Sequence, residues 1–382
     1  MRRMPADARE RRLHLFFVSV TMSEKDASGD FREEYNRYVW FKILFIAVFV
    51  IATICIFWVS LCVGTRSLSV EQVFDYFIKH LQGVTYEPRT IELYDDKIVW
   101  DYRVPRALFG IIAGAGLAVA GAIMQSVMKN PLADPYTTGV SSGALFGVAI
   151  AITLGFSFGG AGTAGLGTVT NAILMSLVPV LIMILFSPFF RKSPSTLILA
   201  GVAVSYLFNA LTSILLVTTS EENLATVYSW QVGSFTDLSW DSLPLMTAAV
   251  VIGIAIILPL SNKLNLMSLD DKDAKSLGLN SEKLRIVCLV LLSFIAATIV
   301  SYVGIIGFVG LVIPHMVRMV IGSDNRYLIP GSVALGAFFL TACDVISRAI
   351  DVQAEIPVGV VTSFIGAPIF MYLIIRQKSG VW

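Results

Sequence analysis

The chain is predicted to be an all-α, polytopic membrane protein of about ten transmembrane helices, some of them short. Three observations predict this. Apolar residues fill 56% of the 382 positions and charged ones only 14%, whereas a soluble domain carries about 25% charged residues. The apolar residues gather into runs of membrane-spanning length, about 17–25 residues. Basic residues concentrate in alternate connecting segments, as the positive-inside bias requires. The net charge of +1 implies no nucleic-acid partner.

Residues 1–38 are expected to be a disordered cytoplasmic tail, and residues 39–378 the transmembrane domain. The apolar patch at 13–20 is shorter than a typical secretory signal and no clear cleavage site follows it. Eight runs are long enough to cross: 41–63, 107–128, 169–187, 197–217, 243–260, 284–303, 329–350 and 358–375. Two shorter runs, 140–154 and 306–321, suit short helices buried among neighbours and bring the total to ten. With both termini inside, the inner segments hold Lys129, Arg191, Lys192, Lys263, Lys272, Lys275, Lys283, Arg285, Arg318, Arg326, Arg376 and Lys378. The outer segment 218–242 holds Glu221, Glu222, Asp237 and Asp241 and no Lys or Arg. The first external loop, 64–106, is the exception with six basic residues, and long loops obey the rule weakly.

On the second span Gly110, Gly114, Ala118 and Ala122 fall four apart. That spacing lets helix backbones approach closely within a bilayer. Cys55, Cys62, Cys288 and Cys343 lie unpaired in apolar runs and read as small buried hydrophobes.

The absent chemistry is informative. The sequence has no Gly-x-x-x-x-Gly-Lys-Ser/Thr phosphate loop, no His-Glu-x-x-His and no Cys-x-x-Cys. Its three histidines, His14, His80 and His315, are widely spread, so no metal site is expected. Asp344 stands inside a span with Arg348 one turn away, and the two can satisfy each other. An ion-coupled carrier needs buried acids facing a pathway, and this chain offers weak support for one.

Four segments then match one family in order. They are Arg103-Val104-Pro105-Arg106; Asn130-Pro131-Leu132-Ala133-Asp134-Pro135 with Gly139-Val140-Ser141-Ser142-Gly143-Ala144; the run from Gly307 to Arg318; and Ile356-Pro357-Val358-Gly359-Val360-Val361 with Gly366-Ala367-Pro368. Over about residues 40–376 the chain resembles the FecCD-type (type II) permease subunits of ABC importers for iron–siderophore, haem and cobalamin complexes. The resemblance implies ten helices per subunit and a homodimer around one pathway. It also implies two ABC ATPase subunits inside, an extracytoplasmic substrate-binding protein outside, and a metal chelate as cargo. No cofactor is then bound by this chain, and ATP and Mg belong to the partner ATPase. The chain would be a permease of the cytoplasmic (inner) membrane, not an enzyme.

The resemblance also assigns sites. The loop 262–283 would couple to the ATPase through Leu269, Asp270, Asp271, Ala274, Leu277 and Gly278, with Asp270 where the family has Gly and well suited to an N-cap. Arg103, Arg106 and Arg348 would face carboxylates of the binding protein. For these arginines, headgroup contact or the internal Asp344 pair is the competing role. The pathway would be lined by the fifth and tenth spans and by residues 225–235. Ser205, Asn209 and Ser213 share one face of the fifth span, and the residues alone leave pore lining and helix–helix bonding equally open. His315 is expected to make a structural hydrogen bond. Iron–siderophore leads as cargo, with haem and cobalamin behind, and an ion-coupled secondary transporter is the alternative from another class.

Overall fold

The structure is a computed structural model. It describes the backbone of residues 6–158, 166–186, 194–236, 238–350 and 356–376, and the side chains of 33–158, 166–186, 196–236, 238–350 and 356–375. The charges expected at Arg191, Lys192, Asp237 and Lys378, and the Arg376 side chain, lie outside the described residues. The chain divides into two units, Met1–Phe45 and Ile46–Trp382. The described part of the first, residues 6–45, belongs to helix α1 (Ala6–Cys62).

Beyond α1 the order is α2 (Val70–Leu81), α3 (Ile91–Lys97), α4 (Val104–Met128), α5 (Val140–Leu154), α6 (Leu166–Phe186), α7 (Pro194–Val217) and α8 (Glu221–Gln231). There follow α9 (Leu243–Ile257), α10 (Ser261–Leu266), α11 (Asp271–Ser276), α12 (Ser281–Val303), α13 (Val309–Ile321), α14 (Asn325–Ile350) and α15 (Val358–Arg376). Among the described residues, eight helical stretches are long and apolar enough to cross a membrane, and α5 and α13 are the two shorter apolar helices. Together they are the ten expected.

The core is built around α4, which packs on α14, α12, α13 and α9. Small residues permit this crowding. A methyl group at Gly114 would lie 2.2 Å from the Gly336 carbonyl oxygen, and one at Gly121 only 1.7 Å from that of Gly310. Gly110 and Ala118 face α14 as well, against Thr341 and Gly336. The small-residue face is therefore a packing seam, where contact between backbones replaces the hydrophobic drive missing in lipid.

The segment 64–106 is mostly helical. Ser69 and Gln72 form a reciprocal capping box that starts α2. From Ile91 to Met128 the helix is continuous, with one turn of π-helix over Ile98–Arg103 between α3 and α4. The run from Gly307 enters its helix only at Val309. Phe308 precedes it in the left-handed region at φ +70°, a conformation uncommon for a residue with a side chain.

Candidate functional site

Three groups of residues are candidates, at α11, in a cavity beside α7, and at the C-terminal end of α1. Helix α11 and the turn after it explain the motif Ala274-x-x-Leu277-Gly278. Gly278 adopts φ +84°. Its N–H donates to the Lys275 carbonyl at 3.0 Å, and the Leu279 N–H to that of Ala274 at 2.9 Å. This pair of bonds is a Schellman C-cap, which favours glycine at the left-handed position and an apolar pair across the turn. Ala274 and Leu279 supply that pair, both buried in the cluster that holds Met267, Leu284 and Cys288. Leu277 is left 60% exposed and Leu269 38% exposed. The Asp270 side chain makes no capping bond, contrary to expectation; its backbone carbonyl takes the first bond from Ala274. Asp271 accepts instead from Lys129 at 3.4 Å and lies 3.8 Å from Arg285. Nearby, Asn265 and Arg326 donate to the Asp324 carboxylate. Burial alone would raise the pKa of that carboxyl, but these bonds outweigh it and hold it at about 2.

The second group lines a cavity of about 620 Å³. Ser205 and Asn209 of α7 are on its wall, and Ser213 is not among its lining residues. The Ser205 and Ser213 hydroxyls each donate to the carbonyl four residues back, at 2.9 Å, so neither is held to another helix by that bond. Asp134, Tyr136, Ser141, Gln231 and Phe308 are among the other polar and aromatic lining residues. Asp134 accepts from the Tyr136 N–H at 2.7 Å, and the Tyr136 hydroxyl donates to the Ile306 carbonyl at 3.1 Å. Burial pushes the Asp134 carboxyl up to about 6, against the opposing pull of that N–H. Gly201 lets α7 approach, since a methyl there would sit 2.0 Å from the Thr137 carbonyl oxygen. Among the described residues, the last helix, α15, contributes none to this cavity's lining. Its Gly366 packs against Phe308 instead. Asp134 and Tyr136 went unrecognised as site residues although their motif is distinctive, because a motif does not say which way its side chains point.

The three arginines gather at the end of α1 and around Asp344. Arg103 is 5% exposed and donates to the carbonyls of Leu61 and Arg66. Arg348 is 4% exposed and donates to the carbonyls of Ser60 and Val63, to the Ser60 hydroxyl and to Asp344. Arg106 donates to Asp344 at 2.9 Å. The last carbonyls of a helix have no partner within it, and Arg103 and Arg348 supply partners at the end of α1. Both guanidinium groups are thus buried and bonded within the chain. His315 is buried, and neither ring nitrogen has a hydrogen-bond partner, so the bond expected there is absent.

Comparison with known proteins agrees with this architecture. The family model described as the FecCD transport family matches residues 49–376. The molybdate import system permease of Haemophilus influenzae is 36% identical, over 84% of this chain and 92% of its own. The hemin transport system permease of Yersinia pestis is 35% identical, over 74% of this chain and 84% of its own. A solved inward-facing structure of a metal-chelate-type ABC transporter superposes with a TM-score of 0.75 at 33% identity, covering 87% of this chain and 99% of that one. The match over nearly the whole chain, with ten apolar helices among the described residues, leads to one conclusion: the protein belongs to the FecCD transport family and is a permease subunit of an ABC importer, not an enzyme.

Proposed function

We propose that this permease carries an iron chelate, with a siderophore complex ahead of haem and cobalamin. The observation behind this reading is the lining of the cavity beside α7. Its volume of about 620 Å³ is within the roughly 300–1,000 Å³ usual for ligand pockets, ample for an organic chelate. Among the described residues, its one charged lining residue is the Asp134 carboxylate, and no Lys, Arg or His lines it. A small oxyanion such as molybdate would meet a like charge there with nothing to offset it. A chelate that presents amides, hydroxyls or a positive charge would meet Asp134, Tyr136, Asn209 and Gln231.

Two copies of the chain would face each other across the pathway in the cytoplasmic membrane, with both termini inside. An extracytoplasmic substrate-binding protein would deliver the cargo. Two ABC ATPases would hold ATP and Mg and grip the exposed side chains of α11.

The test is reconstitution in proteoliposomes with the cognate ATPase and binding protein. Radioactive iron as a ferric trihydroxamate is compared with hemin, cyanocobalamin and molybdate. ATP-dependent iron uptake that persists with an ionophore is the expected result. Uptake of molybdate alone would overturn the cargo, and uptake abolished by the ionophore with ATP present would overturn the energy source.

A further inference from the structure

Helix α2 has an apolar stripe that the fold does not cover. Val70, Phe74 and Leu81 lie within a narrow arc at helical spacing and are 69%, 54% and 60% exposed. Val73, on the adjoining arc, is fully buried and seats the helix on the cluster of Leu61, Val99 and Val104. Glu71, Gln72 and Asp75 form the exposed polar side, where Lys79 pairs with Asp75 at 2.7 Å.

The stripe is continuous with exposed apolar surface of α1. The Phe74 ring lies 5.6 Å from that of Trp58, and the Phe77 ring 5.3 Å from the same indole. Trp58 stands one turn before the end of α1, at a depth where Trp is enriched as an interface anchor. One and two turns further along α1, Ile54 and Ile51 are 55% and 61% exposed. A helix with an apolar arc, an opposite charged arc and an aromatic junction to a spanning helix has the anatomy of an in-plane interfacial helix.

We propose that α2 lies in the headgroup region of the leaflet where α1 ends, with Val70, Phe74 and Leu81 against acyl chains. The partner is the bilayer itself. The apolar arc carries no charge or hydrogen-bonding group with which a protein partner would be selected, while the charges point away from it. Such an anchor would hold the segment between α1 and α4, and with it the Arg103 bonds to the end of α1, at a constant height in the membrane.

The test uses the full-length chain in nanodiscs of phosphatidylethanolamine and phosphatidylglycerol, with Cys55 and Cys62 replaced by serine. A nitroxide is placed singly at positions 70, 81 and 75, which avoids disturbing the Phe74–Trp58 contact. Collision with oxygen is compared with collision with a water-soluble nickel chelate. The proposal expects a ratio several-fold higher at 70 and 81 than at 75. Nickel access at 70 and 81 equal to that at 75 would overturn it in favour of an aqueous surface. Protection of both positions from both reagents would overturn it in favour of a protein contact.

Discussion

The ammonium group of Lys129 donates to the backbone carbonyl of Leu269 at 2.6 Å. This bond joins the end of α4 to the segment that leads into α11. Lys129 is itself the left-handed residue that ends α4, at φ +50°, and it opens the loop that carries Asp134 and Tyr136 into the cavity. A shift of α11 can therefore reach the cavity through a short, continuous piece of chain.

Lys129→Gly isolates that link. Glycine suits the left-handed backbone and loses only the side chain. The Asp271 pair, half exposed on its acidic side, is worth about 0–1 kcal/mol, and relief of backbone strain offsets part of the loss. Thermal stability in detergent is expected to stay near that of the parent, while ATP-driven uptake per ATP hydrolysed falls several-fold. An unchanged ratio of transport to hydrolysis would remove Lys129 from the coupling path.

Leu277→Asp tests the proposed ATPase contact and leaves Gly278 and the buried Ala274–Leu279 pair in place. Leu277 is exposed, so the fold is expected to lose less than about 0.5 kcal/mol. Co-purification of the ATPase and stimulation of its hydrolysis are expected to fall at least several-fold. Gly278→Ala is the structural contrast, because a side chain is strained at φ +84° even though open space surrounds the position. It should lower the melting temperature as well as coupling.

Asp344→Asn should be the most damaging conservative change. Asp344 is fully buried between Arg106 and Arg348. Removing its charge leaves two cations facing each other, and breaking a buried pair of this kind costs about 3–5 kcal/mol. A lower melting temperature and poor recovery from the membrane are expected. The variant Arg348→Met in the same background should return part of that loss, and a double-mutant cycle on melting midpoints would measure the coupling.

The spans were readable because length and composition alone select them, and the α4 seam because its spacing repeats every turn. The Schellman turn was half readable, since Leu277-Gly278 marks its end but not the buried Ala274–Leu279 pair. The arginines were not readable. Arg103 meets Leu61 from 42 positions away and Arg348 meets Ser60 from 288 away, so their partners exist only once α1 has ended beside α4 and α14. The cavity draws on the loop at 134–137, α5, α7, α8 and residues 305–311. No local pattern joins these five segments. Phe308 takes its left-handed conformation where it meets Gly366, a contact that no propensity encodes.

Asp324 yields a pH signature with a definite sign. Its carboxylate accepts from Arg326 and from Asn265, and Asn265 also accepts from Asn325, which in turn accepts from Ser126 of α4. The group sits at about 2 in the folded chain, against about 3.9 when unfolded. Its contribution to stability is therefore complete above the unfolded value and disappears as pH falls from about 4 toward 2. Asp324→Ala should melt lower than the parent at neutral pH, by a gap that stays constant down to about pH 4.5 and narrows below it. Melting curves of both proteins in the same detergent across that range check the sign. A gap that widens on acidification would mean that the carboxylate is destabilising, and that Asn265 and Asn325 hold α10 to α14 without it.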